Sequence, residues 1–305
     1  MGASKKINHW LDAIFKRLFS AIAVIILVIT SIPQAKAFSS PAQRCQAMQD
    51  ISLLQRSVIV DESSGEEVSL LDVALLSGVS RQRLVQAFLW FDANKYRIKN
   101  QKYLTLIDYS LPSVEERMFV FNLCNGLYKK FQVAHGSGSD MNHDGIAQKF
   151  TNQSGSYASS LGIFLTDETY FSQHFNSTAL RLRGLSSTNS NAYGRGLVMH
   201  AAGYVTQEWG QCSGSSKNSS LSCAMNLFRK NRKQYLDPVT RSLLQGQSRA
   251  LDFSNLFRNG YIDWKRIKIK NTLLGRSQGC PALHPVVAEY IIPRIQKGSV
   301  IYAFN

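Results

Sequence analysis

Near its C-terminus the chain reads Gly275-Arg276-Ser277-Gln278-Gly279-Cys280-Pro281-Ala282-Leu283. A cysteine between a glycine and a proline on a short polar turn has three readings: a packed structural residue, half of a disulfide, or a nucleophile. The nucleophile is the thiolate, and a helix N-terminus or a nearby base favours it. Pro281 suits a first helical position. A helix opening there would set Cys280 near an N-cap, where backbone N–H groups and the helix dipole favour negative charge. The same N–H groups, around Gly279 and Cys280, would face the oxyanion of a tetrahedral intermediate. Gly279 lets a substrate or a facing backbone come close, and Ser277 can hydrogen-bond within the turn.

A nucleophilic cysteine needs a base, and the chain has six histidines. His9 lies in the leader described below, and His143 and His174 sit in polar stretches. His284 follows Cys280 too closely to serve and reads as a cap for the second proline turn, at Pro285. His135 ends one apolar strand pattern, in Ala134-His135-Gly136, and His200 ends another, Leu197-Val198-Met199. Each is beside small residues and can point into a cleft; each can equally be a satisfied core histidine. Asp140-Met-Asn142-His-Asp144-Gly145 opens like a calcium loop, but position twelve is Thr151, where a bidentate glutamate is expected. An ordinary Asn/Asp/Gly loop is the simpler reading. No metal-spaced Cys/His cluster, phosphate loop or dinucleotide fingerprint occurs, so no metal and no cofactor is expected.

Where the chain resides decides how its cysteines read. A basic start is followed by the mostly apolar run Leu18–Ile29, then Pro33 and the small-x-small pattern Ala35-Lys36-Ala37. This is the layout of a secretory signal peptide over residues 1–37, too short for a span of about 20 apolar residues. The mature chain is therefore expected in the periplasm or cell envelope, with no stable membrane span after cleavage; an uncleaved anchor is the alternative. In an oxidising compartment cysteines pair, and five leave at least one over. Cys212 and Cys223 flank a polar Ser/Gly/Asn loop that a disulfide would close. Cys45 with Cys124 is then the remaining pair and Cys280 the residue left over, although five cysteines permit other pairings.

The 305 residues are 44% hydrophobic and 18% charged, enough to bury a sizeable core, with a formal charge of +15. Without the leader 30 basic residues stand against 19 acidic ones, a net of +11. Such an excess favours polyanions. Export argues against nucleic acid and leaves an anionic envelope polymer, or a merely solubilising charge.

The elements that must position the turn follow from patterning. Ser80 reads as the N-cap of a helix over Arg81–Asn94 with a stripe of Leu84, Val85, Phe88 and Leu89. With Leu70–Leu76 it suggests a small helical segment within 38–102. From Tyr103 the pattern turns to strands: Tyr103–Ile107, a hairpin Met118–Val133 about Asn125-Gly126, Ala179–Arg183, Gly196–His200 and Val300–Phe304. Residues 209–272 read as a basic insertion, a lid, a binding surface or a solvated excursion. After Pro285, Val286, Val287, Tyr290 and Ile291 recur at helical spacing, and Lys297-Gly298 ends the segment.

At this point the chain resembles the murein L,D-transpeptidase catalytic-domain family (YkuD-like). The resemblance rests on Val198-Met-His200-Ala-Ala202 followed by Gly275-Arg-Ser277-Gln-Gly279-Cys280-Pro-Ala282. It also takes in Ile107–Ser113, Val133–Gly138, Gly155–Gly162, Leu180–Leu185 and Asn189–Arg195, in order from about Tyr103 to the C-terminus. It implies an α+β, β-rich catalytic domain over 103–305 and acyl transfer on peptidoglycan stem peptides. By resemblance Cys280 attacks the donor carbonyl and a thioester forms, with His200 the base. Gly279, Cys280 and Ser277 shape the oxyanion turn, and Arg276, Tyr204 and His135 contact substrate. Most of the wider family has an arginine two residues after the cysteine; here that position is Ala282, and Arg276 is the substitute. Trimming of stem peptides by water, and non-catalytic wall binding with Cys280 structural, are the alternatives.

Overall fold

A computed structural model describes residues 41–61, 64–212, 217–243, 262–269 and 273–305. The expected leader at 1–37 lies outside these residues, as does much of 244–272. The chain divides into two compact units, 1–44 and 45–305. Of the first, only the opening of helix α1 (Pro41–Ala47) is described.

The second unit begins within the stretch 38–102, where a small helical segment is expected. Ser57–Asp61 (β1) and Glu66–Ser69 (β2) instead pair as an antiparallel hairpin. The Val-Ile-Val run of β1 is β-branched and suits a pleated surface. Helix α2 (Leu70–Leu75) follows, its cap Ser69 accepting from the Asp72 N–H. Helix α3 (Arg81–Ala93) starts at Ser80, whose hydroxyl accepts from the Arg83 N–H. Its buried face is Leu84, Ala87, Phe88 and Phe91, whereas Leu89 is exposed. The expected stripe is thus rotated, because the face that meets the sheet runs i, i+3, i+4, i+7.

The rest of the unit is built on one mixed sheet. Its strands are β3 (Tyr103–Asp108), β4 (Met118–Asn122), β5 (Tyr128–Phe131), β6 (Gly162–Ser172), β7 (Ser177–Gly184), β8 (Val198–Ala201), β9 (Ala282–Leu283) and β10 (Val300–Phe304). They lie in the order β5-β4-β3-β10-β6-β7-β8-β9. Period-two alternation serves both faces. Phe119 and Phe121 point to the layer holding α2 and α3, and Met118 and Val120 to the opposite core. That second core holds the last helix. The Asn-Gly turn between β4 and β5 carries Gly126 at φ 70°, and Cys124 there is bonded to Cys45. Cys212–Cys223 is the second disulfide, and Cys280 is free and buried.

Four helices connect β8 to β9 among the described residues: α4 (Trp209–Cys212), α5 (Lys217–Asn231), α6 (Pro238–Leu243) and α7 (Trp264–Ile267). Helix α8 (Pro285–Ile295) then precedes β10. Its N-cap is His284, whose Nδ1 accepts from the Val286 N–H. Pro281 opens no helix. Ala282 and Leu283 pair in parallel with His200 and Ala201 instead, so strand pairing takes the residues that a helix from Pro281 would have used. No helix among the described residues is long and apolar enough to cross a membrane. The fold is α+β.

Candidate active site

The Cys280 turn enters at one end of the sheet. Gly275 donates its N–H to the Tyr204 carbonyl, and a Cβ on Gly275 would lie 2.3 Å from the Tyr204 Cβ. The bare glycine lets the two segments touch. Ser277 then ties the turn. Its N–H donates to the His135 carbonyl, and its hydroxyl donates to the Cys280 carbonyl at 2.6 Å while accepting from the Gly279 N–H at 3.0 Å. Gly279 sits at φ 115°, and a Cβ there would meet the Ala158 carbonyl at 2.8 Å, so only glycine fits. The Gly279 N–H, expected to face an oxyanion, is spent on Ser277.

Cys280 is not at a helix N-terminus, so the helix dipole does not favour its thiolate. Its Sγ accepts from the Val198 N–H at 3.5 Å. Burial raises the thiol pKa, and the Val198 N–H and the Arg195 charge oppose that rise. At neutral pH the resting group is a thiol. Two residues along β8, His200 is buried, with Nδ1 2.8 Å from the Ala201 carbonyl. Its ring stacks on Phe175, centroids 3.6 Å apart and planes within 11°. Burial lowers its pKa to about 4, with a smaller push from His174 and against the Ala201 carbonyl. The neutral ring therefore carries its proton on Nδ1, toward the carbonyl. Nε2 keeps its lone pair and has no partner. A histidine fixed in this way can accept a proton at Nε2.

Cys280, His200, Ser277, Arg276 and Tyr204 all line one cavity of about 480 Å³. Gly279 stands behind it, and its carbonyl accepts from the Ser159 hydroxyl. Tyr204 is buried and packs edge-on to Trp209; burial and the nearby Cys280 raise its pKa well above the ordinary value. Arg276 donates to the Asp140 carbonyl.

His135 is brought to the turn but not to the cavity lining. Arg117, wholly buried, donates to its Nδ1 at 2.6 Å, leaving the Nε2 proton for the Asp140 carboxylate at 3.1 Å. Arg117 also donates to the carbonyls of Val133 and Leu111. Burial first, then the Arg117 charge, lowers the His135 pKa to about 4. Burial pushes the Asp140 carboxyl up, but bonds from His135 and the N–H groups of Gly145 and Asp144 leave it lowered. Both oxygens of that carboxylate are taken up by His135 and by the N–H groups of its own 140–145 turn. Among the described residues no group of three or more His, Cys, Asp or Glu side chains is placed to hold a metal ion.

A family model, L,D-transpeptidase catalytic domain (YkuD_2), matches residues 76–244, more than half of the chain. The chain belongs to the L,D-transpeptidase catalytic-domain family. The match includes His135, Arg195, His200 and Tyr204, continues through residues 209–244, and ends before Cys280. No curated protein and no solved structure gives a match.

The transpeptidase domain holds site residues that the sequence reading left without a role. Arg195 lines the cavity and is the arginine whose charge acts on Cys280. Its Nη2 donates to the Ala158 carbonyl at 2.7 Å, and its Nη1 to the Thr151 carbonyl and Ser160 hydroxyl. It closes the motif Asn189–Arg195, and its place between Gly194 and Gly196 was the available signal. Phe175, stacked on His200, carried no such signal. Helix α5 of the expected insertion contributes Met225, Asn226 and Arg229 to the cavity wall.

Proposed function

We propose that this chain is an exported, cysteine-dependent L,D-transpeptidase acting on peptidoglycan stem peptides through a thioester acyl-enzyme. The observation that carries the reading is the meeting, in one cavity, of the unpaired thiol and a neutral histidine with an unused lone pair. In this reading the Cys280 sulfur attacks the donor carbonyl as His200 Nε2 takes the thiol proton. The C–N bond to the terminal residue then breaks, and His200 returns the proton to the departing amine. A neighbouring stem's amine attacks the thioester, the C–S bond breaks, and the amine's proton returns through His200 to the thiolate. Every proton and electron pair balances, and no cofactor is needed.

The Cys280 N–H serves the oxyanion in this reading. Gly279 joins it only if its N–H leaves Ser277. Tyr204 and Arg276 contact the stem peptide. His135 acts through its carbonyl, which holds Ser277, rather than on the substrate. The leader pattern and the two disulfides support export. The net positive charge supports contact with an anionic envelope polymer.

The test is a mixture of a stem tetrapeptide donor and an amine acceptor, read by mass spectrometry. Formation of the cross-linked product by the wild type and its loss in Cys280→Ala is the expected outcome. Release of the terminal residue without cross-link would make the enzyme a carboxypeptidase, and neither product would refute both.

A further inference from the structure

The cavity that holds Cys280 and His200 is one-sided in charge. Three arginines line it, Arg195, Arg229 and Arg276, with His174, and no aspartate or glutamate is among its lining residues. Among the described residues, none of the three arginines is ion-paired to a carboxylate side chain. They are not equivalent. Arg195 is spent on the Thr151 and Ala158 carbonyls and the hydroxyls of Ser156 and Ser160. It stands beside the nucleophile as a fixed charge. Arg276 reaches the Asp140 carbonyl and otherwise borders the cavity.

Arg229 comes from helix α5 and is exposed. Its hydrogen-bond partners among the described residues are two neutral amides, although Arg232 and Glu289 line an adjoining pocket with it. It donates to Asn226 Oδ1 at 3.4 Å, and with the Asn176 amide turned, that oxygen accepts from Nη2 at 2.5 Å. Helix α5 is held in place at both ends of the relevant stretch. Cys223 is bonded to Cys212, and Phe228 packs on Tyr235 and His284. A guanidinium on a pinned helix, bonded to neutral amides and lining the same cavity as Arg276, suits a carboxylate. Its planar fork matches two carboxylate oxygens, and such charge-assisted bonds are the strong ones.

We propose that Arg229 and Arg276 form a carboxylate-recognition subsite that selects an acyl donor with a free carboxylate beside the scissile amide and rejects the amidated donor. The subsite gives helix α5 a specificity role. The identity of the reaction rests on the function proposed above; the selection of anions by the cavity does not.

The experiment therefore has one arm that needs no peptide transfer. Cys280 in the full, disulfide-intact chain is alkylated by iodoacetate and by iodoacetamide. Both reagents form a C–S bond, expel iodide and release the thiol proton to buffer. The ratio of the two rates is compared with that of a small neutral thiol. The ratio on Cys280 should exceed the reference by roughly fivefold, the effect of one or two partly screened charges. Arg229→Gln and Arg276→Gln should each lower it, the double variant should bring it most of the way to the reference with only the share of the fixed Arg195 charge remaining, and Arg229→Lys should retain it. A ratio at the reference, a ratio indifferent to both arginines, or no reaction with either reagent would overturn the proposal.

The second arm compares donor tetrapeptides ending in a free carboxylate and in a primary amide. The amide should react about tenfold or more slowly, the scale of one lost charge-assisted bond. Arg229→Gln should narrow that gap by slowing the free acid. Equal rates for the two donors would overturn the proposal. A raised alkylation ratio with no turnover of either donor would uphold the anion-selective cavity and refute the reaction.

Discussion

Three buried histidines should make this fold acid-sensitive, and one of them offers a clean test. His135 and His200 have pKa values lowered to about 4, and His284 to about 3, burial being the first cause in each. An unfolded histidine binds its proton near pH 6.5, so between that pH and the folded values the unfolded chain holds more protons. Each group's contribution is complete above about pH 6.5 and is lost as pH falls toward the folded pKa. At about pH 5 the loss is about 2 kcal/mol per histidine, from the reference and folded values. That is a large fraction of a typical total stability of about 5–15 kcal/mol.

His284→Asn isolates one contribution. The asparagine oxygen can accept the Val286 N–H as the imidazole does, so the N-cap survives. The titrating ring between Phe228 and Tyr235 is removed. At about pH 7.5 the variant should be less stable, because the ring contacts are lost. Urea unfolding with disulfides intact, repeated down to about pH 5, should show the gap between wild type and variant closing by about 2 kcal/mol. Parallel stability curves over that window would refute the reasoning, since they would mean that His284 does not stay neutral in the folded state.

Two further predictions concern the turn. Arg195→Gln should slow Cys280 alkylation at about pH 7.5 by roughly three- to tenfold and move its pH profile upward, because a charge favouring the thiolate is lost; Arg195→Lys should restore much of the rate, and unchanged profiles in both variants would remove Arg195 from the account. Gly279→Ala should cost about 2 kcal/mol or more, because it forces φ 115° on a side-chain residue and drives a methyl against the Ala158 carbonyl; a melting temperature equal to the wild type's would contradict the geometry of the turn.

Much of this site was legible where the signal was local. The Asn125-Gly126 hairpin, the β8 strand that carries His200, the Ser80 cap and the His284 cap are decided by neighbouring residues. Five cysteines leave at least one unpaired but permit several pairings; the two disulfides settle which one, and Cys280 is the free residue. The misreadings arose where a distant partner overrode a local preference. Pro281 suits a helix start, but Ala282 and Leu283 are taken by β8 across a separation of about eighty residues. Ser57–Asp61 became a strand because Glu66–Ser69 was there to pair with it. Arg195, Phe175 and Arg229 reach Cys280 and His200 from three separate segments. Spacing along the chain carries no trace of such a meeting. His135 ends a strand beside glycine, and that pattern shows nothing of the buried Arg117, eighteen residues earlier, that engages its ring.

The central claim is that the Cys280 sulfur carries the donor acyl group after His200 takes its proton. Intact-mass measurement of the full chain, quenched in acid during turnover of a free-acid tetrapeptide, tests it most directly. The account predicts an added mass equal to the donor minus the free amino acid that leaves. That mass should map to the Cys280 peptide and be released by hydroxylamine, absent in Cys280→Ala and reduced about 100-fold or more in formation rate in His200→Ala. An adduct elsewhere, or turnover with Cys280 replaced, would contradict the account.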